Sequence, residues 1–171
     1  MDTNSYTRGS GLLEGFLAKQ RAKKANSFIT EELRRGKILD IGCGSYPYFL
    51  INTKFKEKFG IDPSVKQGLV DKENINLTKK SLDDRLPYKN DQFNVVTMLA
   101  VFEHLENNKL IPILGEIKRV LSRNGILIIT TPAPWSDKFL HFMARTGLIS
   151  KEEIHEHKHN LSNFVIIDIM E

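Results

Sequence analysis

The stretch Lys37 to Phe49, KILDIGCGSYPYF, places a carboxylate two residues ahead of two glycines that are themselves one residue apart. Asp40 closes a short apolar run, and Gly42 and Gly44 follow. Glycine reaches positive φ without steric cost and lets a ligand approach the backbone closely. About twenty residues on, Asp62 ends the next such run, and an acid at that distance accepts both hydroxyls of a ribose. Together these features read as a nucleoside pocket. A dinucleotide site needs a third glycine at position 47, where it permits close helix–strand packing beneath a pyrophosphate; the residue there is Pro47. An acid at Asp40 is poorly placed for a phosphate and better suited to a cationic ligand.

Other residues carry candidate chemistry. Cys43 lies between the glycines with no basic neighbour in sequence, so it reads as a small side chain filling a crowded turn and not as a nucleophile. His104, after Glu103, is a candidate general base for a proton on an acceptor oxygen or nitrogen. His155 and His159 are one helical turn apart, a spacing that zinc ligands use. No third ligand is evident and no His-Glu-x-x-His pattern occurs, so no metal is expected.

These residues need elements to hold them. Leu12, Leu13, Phe16 and Leu17, then Ala25, Phe28, Ile29 and Leu33, recur at helical spacing and predict one helix over about Leu12–Arg35, stopped by Gly36. KILDI (Lys37–Ile41), EKFGID (Glu57–Asp62), ENINL (Glu73–Leu77), FNVVTMLAV (Phe93–Val101) and GILIITTP (Gly125–Pro132) read as strands. Between the last two, Leu110, Ile113, Leu114, Ile117, Val120 and Leu121 form one apolar helical stripe, with Pro112 placed in or near its first turn and SRNG (Ser122–Gly125) as its stop. Strand–helix–strand alternation with near-continuous apolar strands predicts an α/β fold, a doubly wound, mostly parallel sheet with helices on both faces. Ligands bind such a sheet at the carboxyl ends of its strands, where the Asp40 loop falls. SKEE (Ser150–Glu153) has the spacing of a capping box and predicts a helix start.

With 171 residues the chain is long enough for one domain that buries roughly 70% of its unfolded surface. Residues 1–35 read as a tail and helix packing on a core that spans 36–171. The net charge is +4, much of it in AKQRAKKA (Ala18–Ala25) and RRGK (Arg34–Lys37). No aromatic residues interleave these lysines, so nucleic acid is an unfavoured partner and a solvated helix face the plainer reading. No apolar run approaches the ~18 residues of a membrane span, no signal segment opens the chain, and one cysteine allows no internal disulfide. A cytoplasmic protein is expected; the sequence says nothing of its oligomeric state.

Four blocks in unbroken order then resemble one family. LDIGCG resembles the D-x-G-x-G motif of class I S-adenosylmethionine-dependent methyltransferases, and GIDPS (Gly60–Ser64) their ribose-binding acid. RLPYKNDQFNVVTMLAVFEHLEN (Arg85–Asn107) is similar to the stretch through their fourth strand. EIKRVLSRNGILIITTP (Glu116–Pro132) is similar to their following helix, turn and fifth strand. Asn94 departs from the usual Asp, and Arg123 and Asn124 from the usual Pro and Gly.

The resemblance implies a three-layer, Rossmann-like methyltransferase fold with strand order 3-2-1-4-5. It implies S-adenosylmethionine as cofactor, with Asp40 supporting the loop and the methionine end, Gly42, Cys43 and Gly44 against the cofactor, and Asp62 and Pro63 at the ribose. It places Asn76 with Leu77, or Ser81 with Leu82, beside the adenine, and Leu99 and Ala100 along the methionine. His104 is the candidate proton acceptor on its own chemistry, with capping or packing the next helix as its other reading. The activity implied is in-line methyl transfer to a small-molecule acceptor. Two further readings stand beside it: a methyltransferase-like domain acting as a partner subunit, and a nicotinamide dehydrogenase, against which Pro47 and Asp40 argue. The segment Ala133 to Lys158, with Trp135, Phe139, Phe142 and Met143, suits a lid over the acceptor or a packing helix. Phe164–Ile169 reads as strand by propensity and as helix by the resemblance, and helix is the expectation taken. On that reading the last two strands of the family's sheet are missing and the fifth is left as an edge.

Overall fold

Parallel strands covered on both faces must be largely apolar, and the apolar runs that fill the middle of the sheet become strands for that reason. A computed structural model of the chain describes residues 12–65, 74–82, 85–132 and 164–169. In chain order it has α1 (Leu12–Ser27), α2 (Glu31–Arg34), β1 (Lys37–Ile41), α3 (Tyr48–Ile51), β2 (Glu57–Ile61), β3 (Ile75–Thr78), β4 (Phe93–Leu99), a 3-10 turn (Phe102–His104), α4 (Asn107–Val120), β5 (Leu121–Pro132) and β6 (Phe164–Ile169). The sheet order is β3-β2-β1-β4-β5-β6, and every neighbouring pair is parallel. The order reverses between β1 and β4, which opens a crevice beyond their carboxyl ends.

Alternation along the strands feeds two cores. Leu39, Ile41, Val96, Met98, Leu127 and Ile129 pack on Leu110, Ile113, Leu114 and Ile117 of α4. Ile38, Val95 and Ile128 pack on Ala22 and Ala25 of α1, on Ile29, and on Phe49 and Leu50 of α3. Asp40, Lys58, Thr97 and Thr130 are the buried polar residues that strand parity puts on this second face. Phe93 lies with Val96 and Met98 because the β4–β5 register shifts between Phe93 and Val95. Across that shift Phe93 pairs Leu121 and Val95 pairs Ile126, so SRNG is the irregular stretch of β5. It does not stop α4, which ends at Val120.

Other expectations change as well. The helix expected to run to Arg35 breaks after Ser27. Asn26 and Ser27 turn their side chains onto the carbonyls of Ala22 and Lys24 (3.0 and 2.7 Å), and Thr30 accepts from Leu33 N (3.4 Å) to cap α2. Phe16, counted in the apolar spacing, is 56% exposed. Pro112 lies inside α4, past its first turn. Phe164–Ile169, expected as helix, is strand β6, paired from Leu127↔Phe164 to Pro132↔Ile169, so β5 is not an edge. Four of its six residues are β-branched, and here local propensity prevails.

The segment before β4 is latched to α4. Arg119 donates from Nε and Nη2 to both carboxylate oxygens of Glu116 (2.8 and 2.6 Å), from Nη1 to Tyr88 O (2.8 Å) and from Nη2 to Leu86 O (3.1 Å). Glu116 in turn accepts from Leu86 N at 2.8 Å. The Arg119 hydrogen bond holds the Glu116 carboxyl below its ordinary value. The sign follows: a lowered folded-state value adds stability above about pH 4.5, and that stability is lost as pH falls through the lowered value. Arg119→Ala is expected to lower unfolding stability by about 2–3 kcal/mol in urea titrations at pH 7, since it strips charged bonds from two backbone carbonyls and the bidentate pair from Glu116. The deficit should shrink on acidification below pH 4.

Candidate functional site

The site is built at the carboxyl ends of β1, β2 and β4, where a cavity of about 430 Å³ opens. That volume lies within the range of small-molecule sites. Asp40 reaches it from β1. Its carboxylate is 4% exposed and accepts a hydrogen bond from Thr97 Oγ1 on β4 at 2.6 Å. Burial raises the Asp40 carboxyl from 3.8 to about 7; the Thr97 bond opposes that rise and the nearby Asp62 charge adds to it. At neutral pH the group is poised between its two forms.

Asp62 follows β2 and is equally buried, at 3% exposed. Its two oxygens accept from the backbone N–H groups of Gly44 (3.0 Å) and Ser64 (2.7 Å). The acid therefore ties the glycine loop to the end of β2. A carboxylate has about four lone-pair sites, so two remain for a ligand in the cavity.

The loop between the acids depends on its glycines. Gly42 and Gly44 have φ of 76° and 73°. A Cβ on Gly42 would also overlap the Val101 side chain, whereas one on Gly44 would meet nothing nearer than Tyr46 O at 4.0 Å. The Gly44 backbone thus forms bare cavity wall. Cys43 is buried between them, and burial followed by the Asp40 and Asp62 charges pushes its thiol up, so it stays protonated. A Cβ on Gly60 would come within 2.8 Å of its Sγ, so Cys43 fills the space that glycine leaves.

The opposite wall is the end of β4. Ala100 has φ of 54°, an uncommon conformation for a residue with a side chain, and Thr130 holds it. Ala100 N donates to Thr130 O and Oγ1 at 3.1 and 3.0 Å. The departure at Asn94 has a simple role: its Oδ1 accepts from Lys37 N at 3.0 Å and joins the starts of β1 and β4.

The cavity gathers Asp40, Gly42, Cys43, Gly44, Asp62, Pro63, Leu99, Ala100 and His104. It does not include Asn76 or Leu77. Asn76 is exposed on edge strand β3, with Nδ2 3.5 Å from Lys58 O, and Leu77 packs on the α1 face of the sheet. Ser81 and Leu82, beyond the carboxyl end of β3, line the cavity instead. His104 is exposed at its rim, with its backbone N–H bound to Val101 O at 3.0 Å. Ala18 and Arg21 of α1, Tyr46, Tyr48 and Lys109 also line it and were not singled out from sequence. The one signal for Arg21 is its three-residue spacing from Ala18 within the basic run. His155, His159, Ser150–Glu153 and the stretch from Ala133 to Lys158 lie outside the described residues. No helix among the described residues is long and apolar enough to cross a membrane.

Comparisons with known proteins follow the same geometry. A family model described as a methyltransferase domain matches residues 14–162. No curated protein matches the chain. Among solved structures, the PH0226 protein of Pyrococcus horikoshii is 20% identical, covers 86% of this chain and 69% of its own, and superposes with a TM-score of 0.57. The YcgJ protein of Bacillus subtilis is also 20% identical, over 74% of this chain and 58% of its own, with a TM-score of 0.53. Phosphoethanolamine N-methyltransferase 1 of Haemonchus contortus, solved with phosphoethanolamine and S-adenosylhomocysteine, is 16% identical, over 68% of this chain and 26% of its own, with a TM-score of 0.53. This chain thus spans a little over half of the Bacillus protein and about a quarter of the Haemonchus enzyme. At these identities the likeness is one of fold.

Proposed function

The chain belongs to the methyltransferase-domain family, and from that premise we propose that it transfers the sulfonium methyl group of S-adenosylmethionine to a small-molecule acceptor by in-line displacement. The observation that carries this reading is the convergence of two buried carboxylates, Asp40 and Asp62, on one cavity with a glycine loop between them. A ribose gives Asp62 its reason to face the cleft, and a cationic group on the same nucleoside gives one to the second acid, Asp40. The residues fit the cofactor. Asp62 keeps lone pairs for the ribose hydroxyls, the bare Gly44 backbone admits close approach, and Leu99, Val101 and Leu82 supply apolar wall. The Haemonchus structure, which holds S-adenosylhomocysteine in its own chain, supports the same reading by its fold.

The cofactor, when bound, supplies an already electrophilic methyl group. The chain's residues then have to hold, orient and exclude water, which is where most of the rate comes from in such a displacement. Asp40 and Asp62 hold the cationic nucleoside, Thr130 fixes the Ala100 wall, and His104 at the rim takes the proton that the acceptor loses. Ser81 and Leu82 take the place beside the base that Asn76 and Leu77 leave.

Calorimetry and thermal shift with S-adenosylhomocysteine, S-adenosylmethionine and NAD test the reading. Either adenosyl ligand at about 100 times its Kd is expected to stabilise the chain by roughly 2.7 kcal/mol, and NAD to leave it unmoved. A shift with NAD alone, or none with the adenosyl ligands, removes the proposal. In transfer assays with labelled cofactor against a panel of small amines and hydroxyl compounds, His104→Gln is expected to lower kcat about a hundredfold and leave S-adenosylhomocysteine affinity within twofold.

A further inference from the structure

The proposed cofactor carries three charges at neutral pH: a sulfonium, an ammonium and one carboxylate. Asp40 accounts for cationic groups and Asp62 for the ribose, and both acids repel the anionic group, so the carboxylate has to lie away from them against a cation. The cavity offers few. Lys109 sits 3.9 Å from Glu106 in an ion pair, and His104 is out at the rim. Arg21 differs from both. It is half-buried in the wall of the cavity, and among the described residues it has no hydrogen bond and no ion pair. Its helical neighbours in the basic run, Lys19, Lys23 and Lys24, are exposed to solvent. Arg21 is thus the one basic residue of that run that lines the cavity, one helical turn beyond Ala18, which lines the same wall.

The position follows from the packing of α1. Ala22 and Ala25 bury against Ile38, Val95 and Cys43, the sheet face on which strand parity places Asp40. Two alanines in the contact let the helix lie close to the strands, and Arg21, next to Ala22, joins the wall of the crevice from that side. Arg21 is a half-buried residue of the wall whose five donors meet no partner among the described residues, which is costly without an acceptor, and a carboxylate matches its planar fork with two parallel bonds.

We infer that Arg21 is the anion anchor of this cavity and holds the carboxylate at the amino-acid end of the adenosyl cofactor. The inference rests on the cofactor reading above and adds a residue from outside the Asp40 to Asp62 region. An anionic group on the acceptor is the other source of the same chemistry, and the experiment separates the two. S-adenosylhomocysteine and 5′-methylthioadenosine share the adenosine and the sulfur, and only the first has an amino-acid carboxylate. Both are titrated calorimetrically into the wild-type chain, Arg21→Gln and Arg21→Lys. Arg21→Gln is expected to weaken S-adenosylhomocysteine by about ten- to a hundredfold and to leave 5′-methylthioadenosine within about twofold, with Arg21→Lys in between. Comparing two ligands on one variant cancels any change in stability. Unchanged S-adenosylhomocysteine binding in Arg21→Gln overturns the assignment and transfers Arg21 to the acceptor. An equal loss for both ligands overturns it in favour of a packing role. A wild-type chain that binds neither ligand removes the cofactor reading and this inference together.

Discussion

Asp62→Ala is expected to lower S-adenosylhomocysteine affinity by more than about a hundredfold and to destabilise the chain by roughly 3–5 kcal/mol. Both effects come from one carboxylate used twice. Its oxygens accept from Gly44 N and Ser64 N, one in the glycine loop and one past β2. Bonds of this charged kind contribute about 1.5–3 kcal/mol each, and their loss leaves two partly buried N–H groups without an acceptor. The same oxygens hold the lone pairs meant for the ribose, and two lost hydroxyl bonds at that strength are what a hundredfold requires. Asp62→Asn separates the roles. One carbonyl oxygen still accepts one N–H, while the amide NH₂ opposes the other, so about half the stability loss should return with little recovery of binding. Urea unfolding and calorimetry at pH 7 read both quantities. An Asp62→Ala chain that binds S-adenosylhomocysteine like the wild type would exclude Asp62 from the site.

What the sequence made legible here is what depends on short-range pattern. β1, β2, β4 and β5 lie where apolar runs predicted them, because a strand covered on both faces has no choice but to be apolar. The glycine loop was legible because its backbone conformation admits few other residues. The third-strand side of the cavity is legible only as a choice. The resemblance offers Asn76 with Leu77 or Ser81 with Leu82; the first pair lies within β3, and a cavity at the carboxyl ends of strands receives the residues that come after a strand. Ser81 and Leu82 meet that condition. Phe164–Ile169 shows the opposite case: its β-branched residues indicate a strand, the resemblance points to a helix, and the local signal prevails. Arg21 was hidden for a third reason. A basic residue on a lysine-rich helix looks like every other one until packing decides which face turns inward, and that decision rests with Ala22 and Ala25 against a distant strand.

Asp40→Asn should make the protein more stable and a poorer binder, with both effects growing as pH rises. The wild-type carboxyl is raised from 3.8 to about 7, chiefly by burial, and a raised value means that the folded chain holds a proton the unfolded chain has released. The resulting cost is absent below pH 3.8, increases through the window up to about pH 7 and levels off near roughly 4 kcal/mol above it. The variant has no such term, although its amide NH₂ must find an acceptor in the same space at a cost of its own. That second cost does not vary with pH. The stability gap between Asp40→Asn and the wild type is therefore expected to widen in the variant's favour by about 2–3 kcal/mol between pH 5 and pH 8. Binding runs the other way. If the cofactor's cationic groups need the ionised carboxylate, wild-type affinity climbs about tenfold per pH unit below pH 7 and then flattens, while the variant stays low and level. At pH 8 the deficit should be about 30- to 100-fold, and at pH 5 most of it disappears because the wild-type acid is itself protonated. Chemical unfolding and calorimetric titration at pH 5, 6, 7 and 8 measure the two gaps. If both stay flat across that range, Asp40 carries no titrating charge in the cavity, and the cation that it is thought to face has to be held by something else.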